Sequence, residues 1–268
     1  MKMAAIQMVT GTDLSHNLAT ARQLLEQAAA QRAELAVLPE YFCFMGHRDA
    51  DKLALAESPG QGPIQTLLTQ AARELGMWVV GGTLPMATPD PLHVANTTLV
   101  FNPSGECVAR YDKIHLFRFD NGREHYDEAA VLTAGHTPVS FTLTPRSGRP
   151  LRVGLSVCYD LRFPELYRLL AADLLLVPAA FTHTTGQAHW EVLLRARAIE
   201  NQAYVLASAQ GGEHDNGRRT WGHSMAIDPW GQVLAQQAHG NGVVLAHLDT
   251  AQLQQTRRNL PALQHRVF

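Results

Sequence analysis

What most constrains this chain is a recurrence: strand, helix, strand, helix, strand and hairpin follow one another twice in the same order. In the first half, the strand-like AAIQMV leads into a helix that opens near the N-cap residue Asp13, and LATARQLLEQAAAQ carries apolar residues at helical spacing. The buried run ELAVLPE comes next, then a helix around PIQTLLTQAARELG, the strand MWVVGG and the hairpin NTTLVFNPSGECVARYDK. In the second half, LRVGLSV, PELYRLLAA, DLLLVPAA, HWEVLLRARAIENQ, AYVLASAQGG and HSMAIDPWGQVLAQ take the same places. The turn residues agree as well: Asn102-Pro103-Ser104-Gly105 matches Asp228-Pro229-Trp230-Gly231, Gly81-Gly82 matches Gly211-Gly212, and Pro39 matches Pro178. One pair of similar hairpin turns is common in α/β proteins, but ordered agreement of several elements argues for duplication about a pseudo-twofold axis.

Such a duplication limits the architecture. Each half forms a mixed sheet with helices on one face, and the two uncovered faces bury each other. The predicted fold is therefore α/β, a four-layer α-β-β-α sandwich of two mixed sheets. At 268 residues and 46% hydrophobic content the chain can fill such a core, and no linker or low-complexity segment divides it, so one domain is predicted over residues 1–268. A cleft is expected where strand ends from both halves meet. The formal charge of −2 and pI near 6.7 leave no electrostatic footprint for nucleic acid, and no block of like charge suits a membrane surface. The longest apolar stretch, residues 169–181, contains Asp173 and Pro178 and is too short to span a bilayer. The N-terminal MKMAAIQMVTGTD is unlike a signal peptide, because Gln7 breaks its short apolar run. With three cysteines and no secretory signal, a cytoplasmic protein with reduced thiols and a small-molecule partner is expected.

One cysteine occupies an unusual place. In VGLSVCYDLRFPELYRLL, Cys158 lies where a strand gives way to a turn, and Pro164 suits the first turn of a helix because its missing N–H needs no partner there. Strand, sharp turn and helix is the geometry of a nucleophile elbow, which lifts a side chain into a cleft and leaves backbone N–H groups free. Most intracellular cysteines are simply buried, and Cys43 and Cys107 both keep that reading: Cys107 lies in a hairpin strand, while Cys43 follows a strand end and is the only rival nucleophile. A thiol is only a few per cent ionised at neutral pH, so a catalytic cysteine needs a base or a positive neighbour. Glu40 in AVLPEYF ends a buried strand, where desolvation fits a carboxylate for proton transfer, and Lys113 in VARYDKIHLF ends the return strand of the hairpin. Alone, each is as readily a solvated surface residue.

Together and in this order, LPEYF, YDKIHLF and GLSVCYDLRFPEL resemble the Glu-Lys-Cys triad of the nitrilase superfamily of carbon-nitrogen hydrolases. The resemblance spans nearly the whole chain and is strongest to the Nit-type amidases, in CYDLRFPELYR, AHWEVLLRARAIENQAYVLASAQ, GHSMAIDPWG and LPALQHR. It implies a second glutamate that positions the lysine, for which Glu128 in HYDEAAVLTAG is the best match through Leu132-Thr133-Ala134-Gly135. It further implies a homodimer, no cofactor or metal, and hydrolysis of a small carboxamide through a cysteine thioester with release of ammonia or an amine. Deaminated glutathione is the expected substrate, and 2-oxoglutaramate the alternative. In that chemistry Cys158 attacks the carbonyl, Glu40 carries the proton, and Lys113 with the Tyr159 backbone N–H stabilises the oxyanion.

Substrate contacts are expected from Arg162, four residues past the nucleophile, whose guanidinium could hold a carboxylate or instead pair with Glu165. Phe181 and Thr182, with His183, follow the second-half counterpart of the strand bearing Glu40, and Tyr41 adjoins the base, so all are expected at the cleft. Three rival readings have less support. His183 and His189 are spaced by five residues, unlike the i, i+4 face of a metallohydrolase helix, and no paired-cysteine motif accompanies them. His115 shares the strand face of Lys113 by two-residue alternation and could form a Cys-His dyad. A non-catalytic binding module would have no use for all three triad residues.

Overall fold

The computed structural model describes residues 1–267 and has two mixed sheets with helices against them. The first sheet runs in the order Gly242–His247, Lys2–Gln7, Leu35–Val37, Trp78–Val80, Val94–Phe101. Cys107–Asp112 pairs with the last of these, as do Leu84–Ala87 and Leu132–Thr133. The second runs Ser140–Leu143, Leu151–Leu155, Leu174–Ala179, Tyr204–Ala209, Ser224–Ile227, Val233–Gln237. From its outer strand inward, each sheet follows one pattern: an antiparallel pair, two parallel pairs, then two antiparallel pairs. The repeat is thus one of pairing as well as of element order. Its outer strands differ in origin: Ser140–Leu143 precedes its half, whereas the first sheet is completed by Gly242–His247 from beyond the second half.

Alternation along the strands sorts the core into layers. Met3, Ala5, Leu35, Val37, Val80 and Val100 cluster with residues of the second sheet, while their neighbours Ala4, Ile6, Ala36, Val79 and Leu99 pack under the first pair of helices. Those helices, Leu14–Ala30 and Pro63–Leu75, contribute Leu24, Leu25, Ala28, Ile64 and Leu68 to that outer layer. Asp13 caps the first through its carboxylate, which accepts the His16 N–H at 3.0 Å. Leu166, Tyr167, Trp190 and Leu194, from the helices Pro164–Leu170 and His183–Asn201, pack with the second sheet. Each large aliphatic side chain so buried stabilises the fold by about 1.5–3 kcal/mol. Polar side chains join the central strands of the two sheets: Gln7 accepts the Ser224 N–H at 2.9 Å, and the Ser208 hydroxyl donates to the Ile6 carbonyl.

Several boundaries differ from the sequence reading. The helix expected from HWEVLLRARAIENQ starts six residues earlier, at His183, because the Thr182 hydroxyl accepts the Thr185 N–H and caps it there. The strand before the nucleophile stops at Leu155, and Cys158 opens a short 3-10 turn, Cys158–Arg162, ahead of Pro164 at the first helical position. The hairpin strand stops at Asp112, so alternation does not carry to His115.

Candidate active site

Three strand ends, one from the first sheet and two from the second, meet at one place: Leu35–Val37 leads to Glu40, Leu151–Leu155 to Cys158, and Leu174–Ala179 to Ala180 and Thr182. The carboxyl edge of such strands is where open α/β sheets bind ligands. A cleft open to solvent, with about 540 Å³ of free space, is lined there by Glu40, Tyr41, Glu128, Cys158 and Thr182, among others, and a smaller open lobe of about 220 Å³ by Cys158, Tyr159, Arg162, Phe181 and Thr182. The nucleophile candidate lies on the wall the two lobes share.

Cys158 has φ of 49°, a left-handed conformation that a non-glycine residue adopts only when its surroundings impose it. Asp160 does the imposing. Wholly buried, its carboxylate accepts the Val157 N–H at 2.8 Å and the Tyr111 hydroxyl at 2.6 Å, and its other oxygen takes the His115 N–H at 3.1 Å and ring Nδ1 at 2.6 Å. The His115 ring is therefore committed to Asp160 and stacks on Phe163 at 3.6 Å, which corrects the dyad alternative. The Cys158 thiol is pushed well above its ordinary pKa, first by burial and then by the Glu40 carboxylate, with Lys113 opposing. At neutral pH it is a neutral thiol beside a carboxylate, an arrangement that needs proton transfer at the moment of attack.

Lys113 is buried between two carboxylates. Its Nζ donates to Glu40 Oε1 at 2.9 Å and to both oxygens of Glu128 at 2.9 and 2.8 Å. Burial alone would lower its pKa, but Glu128 and Glu40 more than offset this and hold it well above the usual lysine range. Burial would likewise raise Glu128, yet the Lys113 charge brings it below the ordinary carboxylate value. Glu128 also accepts the Phe117 N–H at 2.7 Å and the Tyr41 hydroxyl at 2.9 Å, so all its acceptor positions face donors. Tyr41 stays protonated for that donation, its pKa raised by burial and by the two carboxylates. The other Glu40 oxygen accepts the Ala180 N–H at 2.9 Å, a bond between the two halves of the chain, while Oε1 also takes Asn96 Nδ2 at 2.9 Å.

The backbone around Lys113 is set by a glycine. Gly135 donates its N–H to the Lys113 carbonyl at 2.8 Å, and a Cβ there would collide with the Asp112 carbonyl. The segment that follows Glu128 thus packs back against the lysine.

Arg162 has no carboxylate partner among the described residues and makes no ion pair with Glu165; one guanidinium nitrogen lies 3.3 Å from His189 Nδ1, and its carbon lies 5.8 Å from the Tyr159 ring centre and 5.4 Å from that of Phe181. Phe181 itself packs on Trp190 at 4.9 Å. His183 meets the Trp221 ring edge-on, and among the described residues no cluster of three or more His, Cys, Asp or Glu side chains could hold a metal ion. Cys43 is buried away from the cleft, with its thiol pushed up to about 12 by burial. Cys107 lies on an exposed hairpin strand.

Several residues of this site escaped the sequence reading, Asn96, Asp160, Arg218 and Arg219 among them. Asn96 looked like one more residue of a β-prone run, and Asp160 like a turn aspartate, although its place two residues after the nucleophile was a usable signal. Arg218 and Arg219, in a loop more than fifty residues downstream of Cys158, line the larger lobe and had no signal at all.

Comparison with known proteins places these features. The profile of the family described as carbon-nitrogen hydrolase matches residues 2–258. A Synechocystis sp. protein named deaminated glutathione amidase is 42% identical over 271 residues, covering 99% of this chain and 97% of that one. Among solved structures, the NitFhit protein of C. elegans superposes with a TM-score of 0.90 at 37% identity, covering 99% of this chain, which spans 65% of that longer one. Saccharomyces cerevisiae Nit3, a member of branch 10 of the nitrilase superfamily, gives 0.87 at 29% identity, with 100% and 97% covered.

Proposed function

The chain belongs to the carbon-nitrogen hydrolase family, and from that premise we propose that it is an amidase whose cleft hydrolyses deaminated glutathione to 2-oxoglutarate and cysteinylglycine. The observation that carries the catalytic assignment is the Lys113 ammonium clamped between Glu40 and Glu128 beside the strained turn of Cys158. The substrate assignment draws on the relatives of that name and on the unpaired Arg162 guanidinium in the smaller lobe, suited to the carboxylate of a 2-oxo acid.

The reaction follows from the groups. Cys158 Sγ attacks the amide carbon while Glu40 takes the thiol proton. The oxyanion that forms is stabilised by Lys113 and by the Tyr159 N–H on the nucleophile's own turn. Glu128 takes two contacts from Lys113, so turning one proton to the oxyanion leaves the ammonium held by both carboxylates. Glu40 then protonates the departing nitrogen, the C–N bond breaks, and an acyl thioester remains. Water attacks it with Glu40 as base, and the C–S bond breaks as the thiol regains its proton. Phe181, Thr182 and Tyr41 wall the substrate in. The chain pairs as a homodimer in this proposal, supported by Leu169, Val192 and Ile199, which are exposed on the two helices beside the nucleophile. A cytoplasmic setting would keep the three free cysteines reduced, and among the described residues no helix is long and apolar enough to cross a membrane.

Release of 2-oxoglutarate from deaminated glutathione and from 2-oxoglutaramate, by wild type and by Cys158→Ala, tests this. Preference for the tripeptide analogue, abolished in the variant, is expected. Preference for 2-oxoglutaramate selects the smaller amide, and inactivity on both refutes the substrate assignment.

A further inference from the structure

We infer that Arg219, beside an Arg218 that is committed to Asp49, forms a second carboxylate subsite at the leaving-group end of the cleft, so that the enzyme favours amides bearing an acid on both sides of the scissile bond. The inference rests on the proposed hydrolysis at Cys158.

The two lobes are chemically unequal. Glu40, which must deliver a proton to the departing nitrogen, lines the larger lobe and not the smaller. The amine therefore leaves through the larger lobe, and the acyl group occupies the smaller one with Arg162. The lining of the larger lobe also includes Asp49, Arg218, Arg219 and Thr220. Asp49 is already neutralised: Arg218 Nη2 reaches its carboxylate at 3.2 Å and Lys52 Nζ lies 3.9 Å away. Arg218 also covers the Tyr126 ring at 5.3 Å. Arg219 makes no ion pair among the described residues; Glu213 faces it across an antiparallel bridge without closing on it, which leaves the guanidinium available to a bound carboxylate.

The loop that presents it is pinned on both sides. The His214 ring bridges the Thr10 carbonyl and the Thr220 hydroxyl, each at 2.8 Å, and the His214 N–H donates to the Arg218 carbonyl at 2.8 Å. Asn216 Nδ2 donates to the Gly46 carbonyl at 2.7 Å, and Asp215 accepts the Thr12 N–H at 2.9 Å. Because the loop backbone is already fixed, binding a carboxylate there orders the Arg219 side chain alone. A leaving group that ends in a carboxylate, as a dipeptide does, places its charge there.

Three substrates resolve the question: deaminated glutathione, the same molecule with its terminal carboxylate converted to an amide, and 2-oxoglutaramate. Arg219→Ala is expected to raise KM for deaminated glutathione about tenfold with a smaller change in kcat, an effect that weakens as salt is added and is largely rescued by Arg219→Lys. The ratio of kcat/KM for deaminated glutathione to that for its terminal amide should fall by the same factor. If wild type hydrolyses deaminated glutathione but Arg219→Ala affects acid and terminal amide alike, the subsite is overturned and the amidase reading stands. If wild type hydrolyses neither deaminated glutathione nor 2-oxoglutaramate, the substrate reading fails and the subsite falls with it.

Discussion

Replacing Glu128 by glutamine removes one charge and little volume, and the structure says where the cost falls. Glu128 accepts from Lys113 twice, from the Phe117 N–H and from the Tyr41 hydroxyl. A glutamine can turn its carbonyl oxygen toward the Phe117 N–H, and the Tyr41 hydroxyl can rotate to accept from the new amide, so the neutral contacts survive. What cannot survive is the second contact to Lys113, because the amide N–H₂ then points at the ammonium. Lys113 keeps Glu40, at 2.9 Å, as its one charged partner, with both side chains 1% exposed. Taking one partner from a buried ion pair costs about 3–5 kcal/mol, and the surviving Glu40 contact puts this case at the lower end. With a urea dependence of about 3 kcal/mol per molar for a chain of this size, the unfolding midpoint should drop by about 1 M. Loss of the lysine's position should lower turnover about 100-fold, the effect of a displacement of about 1 Å at a reacting group. Urea unfolding of wild type, Glu128→Gln, Lys113→Met and the double variant, together with turnover of Glu128→Gln, supplies the measurement. The two substitutions should couple by about 1–3 kcal/mol, since the double variant no longer faces a buried ammonium with an amide. Additive losses, or a Glu128→Gln protein within about 0.5 kcal/mol of wild type as a surface substitution would be, would refute the clamp.

Two further outcomes follow from the same geometry. Because burial and Glu40 raise the Cys158 pKa, the thiolate fraction keeps growing above the usual thiol value, so alkylation by iodoacetamide should still be accelerating beyond about pH 8.5; a plateau at or below that pH contradicts the assignment. Gly135→Ala forces a Cβ against the Asp112 carbonyl and shifts the Lys113 backbone it supports, so kcat should fall at least about tenfold while KM moves little, and unchanged turnover would show that the backbone there is free to adjust.

Much of this protein could be read locally. Strand and helix periodicity, the Pro-Ser-Gly and Pro-Trp-Gly turns and the N-cap at Asp13 are short-range signals, and they were enough to reveal a duplicated half and a layered sandwich. Glu40, Lys113 and Cys158 were recognisable because each ends a strand within a run of characteristic neighbours. Their mutual geometry was not legible. Lys113 meets Glu40 across 73 positions of sequence, and the Glu40 bond to the Ala180 N–H spans 140. The supporting residues Asn96 and Asp160 have ordinary local sequence and acquire meaning only through what they touch.

The outer strand of the first sheet shows the division most clearly. Val243, Val244 and Leu245 are β-prone by composition, which any local reading detects, but nothing nearby says that they pair with Ile6, Ala5 and Ala4 at the other end of the chain. Local preference depends on a few neighbouring side chains, whereas pairing depends on which apolar faces and unpaired edges remain once the rest of the fold has formed. The sequence by itself determined the elements, their repetition and which residues are proposed as nucleophile, base and cation. Only the tertiary structure decided the chain-end strand that completes the first sheet, the bridging of Lys113 by two carboxylates, and the placing of Arg162 and Arg219 in adjoining lobes of one cleft.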